Sequence, residues 1–425
     1  MIWLGSVFVT TLLLGMPIVF VLVISALSYF LFTGQTQFLI TLPQRMFAGM
    51  DQFVLLAIPM FVLAGNLMEV GGLTNRLIVF ANSIVGRFRG GLSLTAVWGS
   101  FLFGGVSGSA AAQAAALSSI MVPDMEKEGY DPDYSAALIA TSSVMDALVP
   151  PSITMIIYGS LSSTSISQLF IAGIVPGFLI AIGLSAYAVY VAHRRGYPKL
   201  APVGLREFAR SAWASLPVLL LPVIIIFGIR GGIFTATEAS GIAVVYAMLV
   251  AAFYYRVLSW SHMRRALLAT AIMSTVIYLL IGMANIAALI FAMEQLPKHT
   301  VELLTTLTDN KYVLLLLVNI ILLVLGMFLE ATGILILTVP ALMAIGNAIG
   351  MDPVQLGVMV VTNVVIGFVH PPVGLCLYVV ASVTKRKVEA VAWEALPMIG
   401  VTLIVLALVT LVPEVSLFLP RLLMP

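Results

Sequence analysis

The sequence predicts an all-α polytopic membrane protein built from two inverted repeats, each carrying a re-entrant hairpin and a broken helix. Three observations predict it. The first is composition: 61% of the 425 residues are hydrophobic and 9% charged, with a mean hydropathy of +1.13, against roughly 25% charged residues in a soluble domain. One soluble core cannot hide that much apolar side chain, so the solvent must be lipid. The second is a pair of apolar stretches interrupted midway by small and polar residues. The third is a segment that occurs twice, 221 positions apart.

A spanning helix needs about 20 apolar residues. Candidate spans cover 16–32, 53–72, 169–192, 214–229, 236–258, 266–293 and 391–418; two more, 131–158 and 353–383, carry Pro-Pro in their interior. Residues 1–14 are too short to cross alone and can extend the first span. They have no Lys or Arg ahead of the apolar run and do not read as a cleavable signal peptide.

The first interrupted stretch, 92–121, contains Gly104-Gly105-Val106-Ser107-Gly108-Ser109. The second, 312–349, contains Gly326-Met327-Phe328-Leu329-Glu330-Ala331-Thr332-Gly333. A straight helix gains nothing from such a break, whereas a hairpin that turns around inside the membrane needs one. Counting both as hairpins puts 15 of the 20 Lys and Arg residues on one side and leaves Arg45, Arg230, Lys298, Lys311 and Arg421 on the other. That bias makes the basic side cytoplasmic. Were either hairpin to cross fully, every later loop would flip and the bias would be lost.

Gly129-Tyr130-Asp131-Pro132 precedes Pro150-Pro151, and Gly350-Met351-Asp352-Pro353 precedes Pro371-Pro372 at the same spacing. The 221-residue shift also superposes Thr141 on Thr362 and one hairpin on the other. The first repeat is read as 1–192, a linker with one span as 193–234, and the second repeat as 235–425. An odd number of spans in the linker inverts the second copy. Inverted repeats with paired broken helices are the architecture of secondary transporters, whose site lies where the copies meet near mid-membrane.

The breaks supply the chemistry. Each proline removes an N–H donor and frees an upstream carbonyl, which survives in lipid only if buried in protein or turned to a ligand. Freed carbonyls suit a hard cation such as Na⁺, and half-helix N-termini suit a carboxylate. Candidate cation ligands are Gly105, Ser107, Thr141 and Ser142 in the first copy, and Gly326, Glu330, Thr332, Thr362, Asn363, Pro371 and Gly374 in the second. Candidate substrate contacts are Ser107, Ser109, Pro150, Pro151 and Ser152. Any one of these hydroxyls taken alone more often bonds its own helix; it is their clustering at four related breaks that marks them. Asp146 and Glu330 also lie in the broken regions, where a charge costs roughly 2.5–3.5 kcal/mol at mid-helix. Each is a candidate ion or proton ligand.

Other classes are excluded. The net charge of +2 gives nucleic acid no basic surface, and the lone Cys376 gives no disulfide. The sequence has no G-x-x-x-x-G-K-[ST] loop and no H-E-x-x-H pair among His193, His262, His299 and His370. Enzymatic chemistry is therefore not expected, and energy must come from an ion gradient or a partner.

Several of these segments resemble a known family. They are Phe103-Gly104-Gly105-Val106-Ser107-Gly108-Ser109-Ala110, Gly129-Tyr130-Asp131, Pro150-Pro151-Ser152, Tyr158-Gly159 and Phe170-Ile171-Ala172-Gly173-Ile174-Val175-Pro176-Gly177 in the first half, and Phe328-Leu329-Glu330, Gly350-Met351-Asp352-Pro353 and Pro371-Pro372-Val373-Gly374-Leu375 in the second. Together they resemble the large membrane subunit of tripartite ATP-independent periplasmic (TRAP) transporters, over nearly the whole chain. The resemblance implies a sodium-coupled, elevator-type importer of organic acids in the bacterial inner membrane. It further implies a small four-helix membrane subunit, a periplasmic substrate-binding protein, and substrates of the sialic acid or C4-dicarboxylate type. The chain departs from the family at Asp146, where a small or apolar residue is common, and at Gln113, where an acidic one is frequent. A stand-alone divalent-anion/sodium symporter has a similar layout, and the buried acids keep an ion antiporter open.

Overall fold

The structure, a computed structural model, describes residues 2–70, 72–199, 203–296, 299, 302, 308 and 310–424. Among these residues it is all helical, and eight helical segments are long and apolar enough to cross a membrane. Helix α1 (Ile2–Leu13) stands apart from α2 (Ile18–Phe32) and packs on it. Gly15, at φ 74, turns the chain, and Pro17 sits at the N-cap of α2. The expected extension of the first span is thus replaced by a separate helix. Next come α3 (Leu42–Met50), α4 (Ala57–Val70) and α5 (Leu73–Val85).

The first hairpin is α6 (Gly91–Ser107) and α7 (Ala110–Lys127). The first broken helix is α8 (Pro132–Ser142), a 3-10 turn (Ser143–Ala147) and α9 (Ile153–Ser162), followed by α10 (Ile166–Arg194). Helix α11 (Leu205–Arg230) leads to α12 (Ala236–Leu249) and the 34-residue α13 (Trp260–Met293). The second hairpin is α14 (Lys311–Phe328) and α15 (Ala331–Ala348), and the second broken helix is α16 (Pro353–Gly367) and α17 (Leu375–Thr384). Helices α18 (Val388–Leu411) and α19 (Pro413–Leu423) end the chain. The single span expected over 391–418 is therefore two helices, divided ahead of Pro413, which has no N–H with which to continue a helix.

Matching segments start alike. Asp131 accepts from the amides of Asp133 and Tyr134, and Asp352 accepts from Val354 and Gln355, each capping a helix with Pro at its first position. The two broken helices run in opposite directions, as two cross-contacts show. Arg386, just beyond the end of α17, binds Asp133 at the start of α8 (2.6 and 2.9 Å). At the other end, the Tyr158 hydroxyl of α9 donates to the Pro353 carbonyl at the start of α16 (3.0 Å). The hairpins are exchanged as well: α7 packs on α17, and α15 packs on α9.

Around this body stands a frame. Helix α4 packs on α12 and α13, α3 on α13, and α5 on α11. Proline interruptions in the frame are compensated across helices. Pro217 cannot bond the Trp213 carbonyl four residues back, and that oxygen accepts the Tyr254 hydroxyl (3.2 Å) instead. Helix α13 meets the second hairpin through α15, and α2 meets the same helix where Ile18 faces Gly333.

A candidate solute site between the hairpin tips

At the first tip α6 ends on Gly108, at φ 67, a left-handed conformation that glycine adopts without a Cβ penalty. Ser109 then starts α7, its hydroxyl accepting from the Ala112 amide (3.4 Å). That leaves the first-turn amides of Ala110 and Ala111 without an intrahelical acceptor. At the second tip Glu330 occupies the cap position of α15 but makes no capping bond with its side chain. Both N-termini therefore present unsatisfied N–H groups and a partial positive charge.

The tips close on one cavity of about 270 Å³. Gly108, Ser109, Ala110 and Ala111 line it from the first hairpin, and Glu330, Ala331 and Thr332 from the second. Asp146, Ala147, Ile153, Thr154 and Ile157 come from the first broken helix, and Val365, Phe368 and Leu375 from the second. Met273, Val276 and Ile277 of α13 form the wall on the frame side. Among the described residues, no Lys, Arg or His lines it.

Close backbone approach holds the tips in place. A Cβ on Gly326 would lie 2.9 Å from the Gly367 Cα, and one on Gly367 would lie 2.5 Å from the Gly326 Cα. In the first copy a Cβ on Gly104 would lie 3.0 Å from the Asp146 Cα, and one on Gly105 would lie 3.0 Å from the Pro150 carbonyl. Small residues at these contacts let helices approach within backbone distance, as membrane packing requires.

Of the residues singled out by sequence, Ser109, Asp146, Glu330 and Thr332 line the cavity. The side chain of Ser107 lies outside the described residues. Pro150, Pro151 and Ser152 are buried behind the tip, with the Ser152 hydroxyl capping α9 at the Met155 amide (3.2 Å). Pro371 opens onto a different cavity, of about 410 Å³, beside Pro372, Tyr378 and Trp393. Gly374, at φ 53, starts α17, and a Cβ there would meet the His370 carbonyl at 3.1 Å. Thr141 and Thr362 each bond the carbonyl four residues back in their own helix (2.9 and 2.6 Å).

Ser142 and Asn363 differ from these threonines. The 221-residue offset superposes them, both are fully buried, and the Ser142 hydroxyl and the Asn363 side-chain oxygen have no hydrogen-bond partner. The Asn363 amide is held by the Asn319 carbonyl (3.0 Å) and the Asn319 side-chain oxygen (2.7 Å), which fixes its orientation. Buried oxygens of this kind rarely go unsatisfied. Sequence reasoning did not foresee the wall supplied by α13 or the place of Thr154. Neither leaves a motif, because both depend on packing between distant segments.

Known proteins identify the family. The family model described as "Tripartite ATP-independent periplasmic transporter, DctM component" matches residues 4–415. The chain is 39% identical over 420 residues to the sialic acid TRAP transporter large permease protein SiaM of Vibrio cholerae, covering 99% of this chain and 97% of that one. It is 39% identical over 377 residues to the C4-dicarboxylate TRAP transporter large permease protein DctM of Pseudomonas aeruginosa, covering 89% and 88%. The crystal structure of the Alcanivorax borkumensis YdaH transporter shares the fold, with a TM-score of 0.64, 15% identity, and coverage of 92% of this chain and 90% of that one. A membrane-spanning chain matched over nearly its whole length by permeases is a transport component and not an enzyme, and it belongs to the DctM family of large, multi-pass inner-membrane subunits of TRAP transporters.

Proposed function

We propose that this chain is the ion-coupled permease component that imports a small organic acid, using the Na⁺ gradient and receiving the acid from a periplasmic substrate-binding protein. The observation that carries this reading is the convergence of both hairpin tips and both helix breaks on one cavity against α13. The substrate's carboxylate would lie against the first-turn amides of α7 and α15, next to Ser109 and Thr332. The Ser142 hydroxyl and the Asn363 side-chain oxygen, buried and unpartnered at related positions, fit a pair of Na⁺ sites. Glycine-lined backbone at Gly105 and Gly326 would complete them with carbonyl oxygens, since hard cations take oxygen ligands.

Movement follows from the division into frame and body. The body of hairpins and broken helices would slide as a unit against the frame, carrying the cavity from one face to the other. The family is one component of a tripartite system, so we assign the remaining roles to a small four-helix membrane subunit that widens the frame and to the binding protein. The substrates named for the relatives, sialic acid and C4-dicarboxylates, mark the chemical class. The test is uptake of candidate acids by proteoliposomes holding all three components, in Na⁺ and in choline; uptake unchanged by choline would refute the coupling. Asp146 and Glu330 on the cavity wall also suit an ion antiporter or a stand-alone divalent-anion/sodium symporter. An antiporter would move Na⁺ in this assay without any acid, and a stand-alone symporter would need no binding protein.

A further inference from the structure

The carboxyl group of Asp146 has no role in the frame that holds it. Its residue is fully buried and lines the cavity. Neither of its oxygens has a side-chain partner, and the Gly108 amide is the one backbone donor beside it among the described residues. The 221-residue offset places Gly367 at the same position in the second copy, so the architecture there works without a side chain. Packing at Asp146 is through its Cα, which faces Gly104 as Gly367 faces Gly326. The carboxylate is therefore an addition to one half of a paired structure.

A buried carboxyl either holds a proton or meets a counter-group, because an isolated charge in a low-dielectric site is strongly disfavoured; a cationic solute group supplies the second. Among the described residues the cavity itself offers no counter-group: Glu330 is the other charged residue on its wall, and no cationic side chain lines it. What the cavity does offer is two sets of first-turn helix amides, at Ala110–Ala111 and at Ala331–Thr332, which attract an anion. The wall is thus electrostatically two-ended, with amide N–H groups for an acid and Asp146 for a cationic group. At about 270 Å³, it sits just under the roughly 300–1,000 Å³ of typical ligand pockets, which favours a compact solute.

Building on the organic-acid reading above, we infer that the cavity takes a small zwitterionic acid. Its ammonium group binds the Asp146 carboxylate while its carboxylate or sulfonate binds the helix N-termini. An ammonium–carboxylate bond formed away from water is a charge-assisted hydrogen bond, roughly twice as strong as a neutral one. A solute that lacks the amino group leaves Asp146 buried and unpaired. Discrimination is then largely the cost imposed on the wrong solute.

The experiment uses the complex of the two membrane subunits without the binding protein, so that only the cavity selects. Binding is read as sodium-dependent thermal stabilisation by matched acids: aspartate against malate and succinate, and taurine against isethionate. The expected result is that in at least one set the aminated acid binds at least tenfold more tightly than its partners. Asp146→Gly, which copies the residue of the other half, and Asp146→Asn, which keeps the shape, should each bring the ratio to within about twofold. Sodium-dependent binding that ignores the amino group overturns this inference alone. So does an Asp146→Gly complex that shifts the sodium or pH dependence but keeps the amine preference, since the carboxylate would then serve an ion. No sodium-dependent binding by any of these acids would overturn the organic-acid reading, and this inference with it.

Discussion

The hydroxyl of Tyr158 and the carbonyl of Pro353 lie 3.0 Å apart, although 195 residues separate them in sequence. At the opposite end of the same helix pair, Arg386 grips Asp133 with two hydrogen bonds. Each broken helix is thus pinned at both ends to its counterpart in the other half, and the cavity lies between the two pins. Asp133 raises the already high pKa of Arg386 through their hydrogen bond, so the guanidinium stays charged. Removing the Tyr158 hydroxyl in Tyr158→Phe deletes a part-buried hydrogen bond to the exposed Pro353 and should cost about 0.5–1.5 kcal/mol. The Arg386–Asp133 pair is partly exposed and is worth at most about 1 kcal/mol. Arg386→Asp should lower the unfolding temperature more than that value suggests, because it sets like charges together. Asp133→Arg combined with Arg386→Asp should recover most of the loss in detergent-solubilised protein. No recovery would mean that the pair does not join the halves.

Gly326→Ala and Gly367→Ala each place a Cβ within 3.0 Å of backbone on the facing helix. Overpacking of this kind costs typically 1–3 kcal/mol, and here it also moves the second hairpin tip. Both variants should lose stability and most transport. Gly400→Ala is the control: a Cβ there meets nothing within 4 Å, and within α18 the change should be neutral or stabilise by up to about 1 kcal/mol. Equal behaviour of the three variants in thermal unfolding would show that the tip contact does not matter.

Ser142→Ala removes an oxygen that bonds nothing within the protein, so the fold should lose little. If that oxygen holds Na⁺, the sodium concentration for half-maximal uptake should rise about tenfold, the equivalent of roughly 1.4 kcal/mol. Asn363→Ala should raise it too, but will also unfold more easily, because it breaks the bonds to Asn319. An unchanged sodium dependence in Ser142→Ala would move the cation elsewhere.

How far the sequence revealed this arrangement depends on what each feature leaves behind. The hairpins and breaks were legible because lipid tolerates Gly104-Gly105, Glu330 or Pro-Pro only where protein surrounds them, and the 221-residue offset doubled each signal. Helix α3 leaves little signal because it is short and amphipathic, while Gly15-Met16-Pro17 marks a break but leaves open whether residues 1–14 extend the first span or form a separate α1. The wall formed by Met273, Val276 and Ile277 was illegible for a different reason. Apolar residues facing a cavity look the same in sequence as those facing lipid. Pro150–Ser152 carried the right signal at the wrong depth: the break they make is real, but the residues exposed to the cavity by it are Asp146 and Thr154.

Ser109 sits on the cavity at the turn between α6 and α7. Ser109→Leu would fill that space with an apolar side chain and remove the cap of α7, at a cost of about 1 kcal/mol. Uptake should fall to background while the complex remains folded by size-exclusion chromatography and thermal unfolding. Ser109→Thr retains the capping hydroxyl and should keep partial activity. Normal uptake by Ser109→Leu would place the solute elsewhere.

The chain should also transport poorly by itself. Its sequence has no ATP-binding loop, and the described connections between its helices are short, with no segment folded to capture a dilute solute. The frame presents a stripe of exposed apolar residues along α11: Trp213, Leu216, Leu220, Val223 and Phe227. Lipid provides no hydrophobic drive between helices, so a partner there must hold by close packing. Proteoliposomes made with this chain alone, then with the small membrane subunit, then with the binding protein added, should show uptake rising at each step and reaching full rate only with all three. Within the complete system, Leu220→Trp and Val223→Trp should weaken co-purification of the small subunit while leaving the unfolding temperature of the large chain within about 2 °C, as expected for surface substitutions. Full-rate, sodium-driven uptake from the first preparation would mean that the frame needs no partner and that the cavity collects its own solute.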